Sequence, residues 1–185
     1  IENSKQAIFT FSGDVYTGFD AYSLNEKQIN YCQSHLKILS GLYGILKPLD
    51  LIQAYRLEMG SKLSVGTHRQ LYSFWKSKLT DNINNSIQET GSKILVNLAS
   101  IEYSKAIQMK KIDADIVNPV FKDWKNDRYK IISFFAKKAR GLMARHIIEE
   151  QINSTEDLKG FNKEGYVYNE ELSQETPFTF TRDSL

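Results

Sequence analysis

The sequence predicts an α/β protein, a single mixed-sheet domain with flanking helices. Three observations carry this. Stretches with apolar residues at helical spacing begin near Asn25, Leu71 and Ala136; short runs rich in β-formers lie between them; and no repeat or low-complexity linker divides the chain.

Taken in order, Gln6 to Phe11 reads as a short strand closed by the Ser12-Gly13-Asp14 turn. Asn25 is placed to cap a helix whose Ile29, Cys32, Leu36 and Leu39 recur every three or four residues. At Ser40-Gly41-Leu42-Tyr43-Gly44, two glycines three apart allow positive φ and close backbone approach. That segment reads either as a hairpin between short helices or as a helix cap followed by a turn. Gln53 to Gly60 looks extended, and Leu71, Phe74, Trp75, Leu79 and Ile83 give a second amphipathic helix that Gly91 stops. Lys93 to Leu98 has the near-continuous apolar character of a buried strand. A helix is expected from about Ser100. Asp113 to Phe121 and Tyr129 to Phe135 read as strands around the Asp123 to Asp127 turn. Ala136 to Glu150 is strongly helical, a helical turn follows at Ser154 to Lys159, and Gly165 to Tyr168 and Pro177 to Thr181 read as closing strands.

With 185 residues the chain is long enough for one domain with a real core. Its apolar runs fall far short of the roughly 20 residues that span a bilayer, and one cysteine, Cys32, makes no internal disulfide. A reducing cytoplasm is the expected location. The net charge of +2 hides an asymmetry: up to Ile148 there are 21 Lys and Arg against 13 Asp and Glu, and beyond it 3 against 9. The basic part suggests an anionic partner.

Most chemical motifs are absent. The three histidines, His35, His68 and His146, and Cys32 lack metal-site spacing, there is no nucleophile elbow, and no phosphate-binding glycine loop follows a strand. No metal, cofactor or catalytic residue is therefore assigned. Two features remain. The glycine turn with Lys47 beyond it can aim backbone amides at a phosphate, or its glycines simply permit a tight bend. The densest basic cluster, Lys137, Lys138, Arg140 and Arg145, has no acid between Ile131 and Ile148 and reads as a phosphate-binding stripe or a solvated helix face. Arg56 and Glu58, in the extended stretch, share a face and either pair or line a cleft.

Six blocks taken together are more specific: FSGDVYTG (11–18), LSGLYGILKPLD (39–50), YRLEMG (55–60), NLASIEYSK (97–105), SFFAKKARGLMAR (133–145) and GFNKEGYVY (160–168). In this order and spacing the chain resembles the YaaA family of peroxide-stress resistance proteins. The resemblance implies a cytoplasmic bacterial protein that protects against hydrogen peroxide, associated with lower free iron; the main expectation is a non-enzymatic DNA-binding protein. The resemblance further implies a mixed α/β fold with a helix-hairpin-helix element and a basic cleft that binds double-stranded DNA, including distorted or bulged forms. Carried onto this chain, the hairpin spans Ile38 to Leu46 with Gly41, Tyr43 and Gly44 at its turn. The cleft residues are Lys47, Arg56, Lys105, Lys137, Lys138 and Arg140.

There are two departures. Gly41 and Gly44 are three apart, where repair-type hairpins place their glycines two apart. The family also carries about 70 residues, with a Ser-Pro-Ala-Lys-Thr motif, ahead of the position of Ile1, and loss of a strand there would leave an exposed sheet edge. The alternative function is an enzyme acting on a nucleotide-like or phosphorylated small molecule, using Asp14, Arg56, Glu58, Glu102, Tyr103 and Lys105.

Overall fold

The computed structural model describes residues 2–176 and 178–183. Their order is β1 (Lys5–Gln6), α1 (Ala7–Thr10), α2 (Asp14–Phe19), α3 (Glu26–His35), β2 (Ile38–Ser40), β3 (Gly44–Leu46), β4 (Leu51–Ile52), α4 (Leu71–Thr90), β5 (Ile94–Val96), α5 (Ile101–Ser104), β6 (Asp115–Val117), β7 (Val120–Trp124), β8 (Tyr129–Lys130), α6 (Ser133–Glu150), α7 (Thr155–Leu158), β9 (Val167–Tyr168), α8 (Glu170–Glu175) and β10 (Thr179–Arg182). Helix and strand mix as expected for α/β. The strands, however, are only two to five residues long, and among the described residues they divide into several small sheets instead of one. Pro177, expected to open the last strand, lies outside the described residues.

Two compact units form. The first combines the chain up to Phe11 with Asn25–Lys93 and Ala99–Asp115; the second combines Ser12–Leu24, Ile94–Leu98 and the chain from Ile116 onward.

In the first unit, β1 pairs antiparallel with β4, and the strand expected at Gln6 to Phe11 gives way after Gln6 to α1. Helix α3 begins at a reciprocal cap: Gln28 N–H donates to the Asn25 side chain at 3.0 Å, and Asn25 N–H donates to the Gln28 side chain at 2.9 Å. Helix α4 buries Leu71, Leu79, Ile83 and Ile87 and stops at Gly91, whose φ of +67° is the left-handed cap that glycine supplies without strain.

The expected helix-hairpin-helix is not there: Ile38 to Leu46 is a β-hairpin, with Ile38 opposite Leu46, Leu39 opposite Ile45 and Ser40 opposite Gly44. The reason lies in its period. Helix α3 ends at His35, and from Ile38 burial alternates residue by residue, so that Ile38, Ser40, Gly44 and Leu46 face inward together. Gly44 then turns the chain at φ +78°.

In the second unit the strand order is β8-β7-β10-β9, with β7 and β10 parallel and the outer pairs antiparallel. Helix α6 lays Ala136, Ala139 and Met143 into a core with Phe121, Phe161, Tyr166 and Phe180. Phe121 and Phe180 stack at 5.5 Å, and Phe161 meets both rings edge-on.

His146, on the same helix, is buried beside Phe161 with neither ring nitrogen hydrogen-bonded. Burial holds its imidazole below the ordinary value of 6.5; Lys163 adds to the effect, while Glu150 and Glu149 oppose it. Below about pH 6.5 the unfolded chain takes up a proton that the folded one resists, so stability is full above that pH and falls as pH drops. His146→Phe is expected to remove this component. Denaturant midpoints at pH 7 and pH 5 should lie closer together in the variant, and an unchanged gap would contradict the assignment.

Candidate functional site

The first unit brings three of the six blocks together around a set of tyrosines. The hairpin turn supplies Ser40, Gly41 and Tyr43. Ser40 Oγ accepts from Tyr43 N–H at 2.9 Å and shares a 2.5 Å hydrogen bond with the Tyr55 hydroxyl. The Tyr55 ring meets Tyr43 edge-on at 5.4 Å and Phe11 at 6.2 Å. The Tyr43 hydroxyl in turn accepts from Gln53 N–H at 3.2 Å, so the turn and the extended segment after it are pinned together.

The glycines make this approach possible. A Cβ on Gly41 would sit 2.3 Å from the Leu57 carbonyl oxygen, and one on Gly44 would lie 2.5 Å from the Trp75 ring. Trp75 Nε1–H also donates to Gly41 O at 2.9 Å, which fixes α4 against the turn. The glycines therefore admit packing neighbours.

The third block enters through α5, capped by Ser100. Glu102 Oε1 accepts from Gly60 N–H at 2.9 Å. Tyr103 lies within electrostatic reach of Tyr55, Glu102 and Glu58. Burial first, and then those neighbours, push its pKa up, against a backbone hydrogen bond from Met59. Burial likewise raises Tyr55, with Ser40 acting in the opposite direction and Tyr43 adding to the rise. Both phenols stay protonated at neutral pH and can donate hydrogen bonds, beside the carboxylates of Glu58 and Glu102. Arg56 pairs with Glu58 at 3.4 Å while its side chain remains 93% exposed, an arrangement worth little in stability and open to an anion.

The residues expected to contact DNA divide between the units: Gly41, Tyr43, Gly44, Lys47, Arg56 and Lys105 in the first, and Lys137, Lys138 and Arg140 in the second. Lys47, Lys105 and Lys137 are exposed. Lys138 is held by Glu164 at 2.5 Å, and Arg140 is half-buried, which lowers its guanidinium pKa. Arg145, part of the same sequence cluster, is spent internally: it pairs with Glu149 at 2.7 Å and donates to the Asp20 carbonyl at 2.7 Å. Of the residues weighed for an enzyme, Asp14 opens α2 in the second unit, whereas Arg56, Glu58, Glu102, Tyr103 and Lys105 belong to the first.

Sequence reasoning does not single out Ser40 or Tyr55, although both stand inside recognised blocks. It also misses a buried ionic network in the second unit. Asp123, fully buried, accepts from the Tyr166 hydroxyl at 3.0 Å and from Arg182 Nε–H at 2.7 Å, and Arg182 stacks over the Tyr166 and Phe135 rings. Among the described residues no group of three or more His, Cys, Asp or Glu is arranged to hold a metal ion, and no helix is long and apolar enough to cross a membrane.

The chain is similar to other proteins along nearly its whole length. A UPF0246 protein of Shewanella sp. (strain ANA-3) is 55% identical over 184 residues, covering 100% of this chain and 72% of the relative. UPF0246 proteins of Alteromonas mediterranea and Aliivibrio fischeri are 53% and 56% identical over 182 residues, each covering 98% of this chain and 70% of the relative. The family model described as peroxide stress protein YaaA matches residues 1–172. That span includes every block that builds the tyrosine cluster and the basic helix, and the chain belongs to the peroxide stress protein YaaA family.

Proposed function

We propose that this protein serves the peroxide response in the cytoplasm by binding double-stranded DNA through exposed cations, limiting iron-driven damage to it. The observation that supports this most is the charge balance from Val120 to Arg145, where Lys122, Lys125, Arg128, Lys130, Lys137, Lys138, Arg140 and Arg145 face only Asp123 and Asp127. Asp123 is buried against Arg182, so its charge is cancelled from within the fold. Lys138 is paired with Glu164 and Arg145 with Glu149, which leaves Lys122, Lys125, Arg128, Lys130, Lys137 and Arg140 against the exposed Asp127, a basic excess of the kind a phosphate backbone requires. The exposed Lys47, Arg56 and Lys105 form a second set on the first unit, with Gly41, Tyr43 and Gly44 shaping the turn beside them.

The test is reversal of exposed charges that make no packing contribution. Lys125→Glu combined with Lys137→Glu is expected to weaken duplex binding about tenfold at about 100 mM salt and to flatten the log–log salt slope by about 2, one for each phosphate that is no longer neutralised. Fluorescence anisotropy over a salt series reads both quantities. Unchanged affinity and slope would refute the proposal.

A second reading, an enzyme for a nucleotide-like or phosphorylated small molecule, is favoured by one observation: Tyr55, Tyr103, Glu58 and Glu102 interact within the first unit beside Arg56. Neutral phenols and carboxylates side by side are the groups that general acid–base chemistry uses. If Tyr103→Phe abolished protection of cells from peroxide while DNA binding stayed intact, this reading would displace the first.

A further inference from the structure

Helix and sheet in the second unit end at a hairpin that the core does not explain. Strands β7 and β8 pair with Trp124 opposite Tyr129, and Lys125 N–H donates to Arg128 O at 3.0 Å to close the turn. Asn126 and Asp127 occupy the two central positions with φ of +55° and +58°, the conformation a tight two-residue hairpin needs and these residue types tolerate. Trp124, at the end of β7, is 44% exposed. Its ring is backed edge-on by Tyr129 at 5.0 Å, and the Tyr129 hydroxyl donates to Asp183. One residue before Trp124 is Asp123, clamped by Arg182 and Tyr166 in the core, so the indole stands on an anchored base.

The surroundings are mainly basic, with Asp127 in the turn and Asp183 at Tyr129 as the acids. Lys125 and Arg128 are exposed at the turn, Lys130 ends β8, and the chain continues through Ile131 and Phe134, which are also exposed, to Lys137 on α6. An open indole held rigid among cations fits a ligand that carries both a flat apolar face and a phosphate. An unpaired base of single-stranded DNA has both: its ring stacks on the aromatic side chain while its backbone meets the lysines and arginine. A duplex offers the phosphates but keeps its bases stacked on one another.

We infer that the Trp124 hairpin is a stacking platform for an unpaired base of single-stranded DNA. This rests on the nucleic-acid reading above and adds to it a second ligand form with its own residue. Trp124 contributes the stack, Tyr129 fixes its orientation, and Lys125, Arg128 and Lys130 hold the flanking phosphates.

The experiment compares the full chain with Trp124→Ala and Trp124→Phe, using a fluorescein-labelled oligothymidylate and a labelled duplex of equal length at one salt concentration. Trp124→Ala is expected to weaken oligothymidylate binding about tenfold, within the range for losing one base–aromatic stack, and to leave duplex binding within about twofold. Trp124→Phe, which keeps a ring and guards against a folding artefact, should recover most of the loss. If Trp124→Ala changes neither affinity, or lowers both alike, the stacking role is overturned while duplex binding by the parent protein still stands. If the parent protein binds neither probe, both the stacking role and the nucleic-acid reading are overturned.

Discussion

Gly141→Ala is expected to lower folding stability by about 3 kcal/mol, the upper part of the range for forcing an atom into a packed interior. Helix propensity argues the other way, since alanine is favoured over glycine inside a helix by roughly 1 kcal/mol. Contact decides the sign. A Cβ on Gly141 would fall 1.9 Å from the Val15 carbonyl oxygen and 2.7 Å from the Phe19 backbone nitrogen, both backbone atoms of α2, which no rotamer change can move aside. The approach is reciprocal: a Cβ on Gly18 of α2 would lie 2.1 Å from the Lys138 carbonyl oxygen and 3.1 Å from the Leu142 nitrogen of α6. Two glycines, one on each helix, let the backbones touch, and either substitution must push the helices apart. Guanidinium titration measures the effect. Lys137→Ala, on an exposed position of the same helix, serves as the control and should stay within about 0.5 kcal/mol of the parent. A Gly141→Ala midpoint equal to the control's would mean that the helices do not approach this closely.

This helix pair shows where sequence reading stops. The FSGDVYTG and SFFAKKARGLMAR blocks are both recognisable, but nothing local says that Gly18 meets the turn of helix holding Gly141. What the sequence does carry is local chemistry. Asn25 with Gln28 marks the start of α3, Gly91 marks the end of α4, and Ser100 and Ser154 mark two further caps. The hairpin at Ile38 to Leu46 is easily mistaken for helix because ILSGLYGIL places apolar residues at separations that suit a period of two as well as one near four, and only its pairing partner separates them. The site follows the same division. Tyr55, Glu58 and Tyr103 sit in recognised blocks, but their interaction spans more than forty residues of chain. Lys138 reads as a free cation because Glu164, though inside a recognised block, stands 26 residues further on, and Arg145 does so because Glu149 falls just beyond the acid-free stretch from Ile131 to Ile148.

Asp123 gives the largest effect expected of one side chain. Its carboxylate is fully buried, and Arg182, with a side chain 11% exposed, reaches it through Nη2 at 2.6 Å. Burial, and then the Asp123 charge, raises the pKa of Tyr166, so its hydroxyl keeps its proton and donates to the carboxylate. Glu164, 4.0 Å from Arg182 Nη1, is too distant and too exposed to replace it. Asp123→Asn keeps the shape but removes the charge, which leaves a guanidinium in the interior without its counter-ion, a loss of about 3 to 5 kcal/mol. Size alone would not separate this account from ordinary damage to packing, so the informative variant is the double. Asp123→Asn with Arg182→Met removes the stranded cation along with its partner, and since a buried ion pair contributes little beyond an apolar replacement, the double should be more stable than the single by about 2 kcal/mol or more. Because Asp123 and Arg182 are Cα partners across the parallel β7–β10 pair, the same measurement reports on the strand register that anchors Trp124. Additive losses in the two substitutions would show that the charges are not coupled, and the hairpin would then need another explanation for its rigidity.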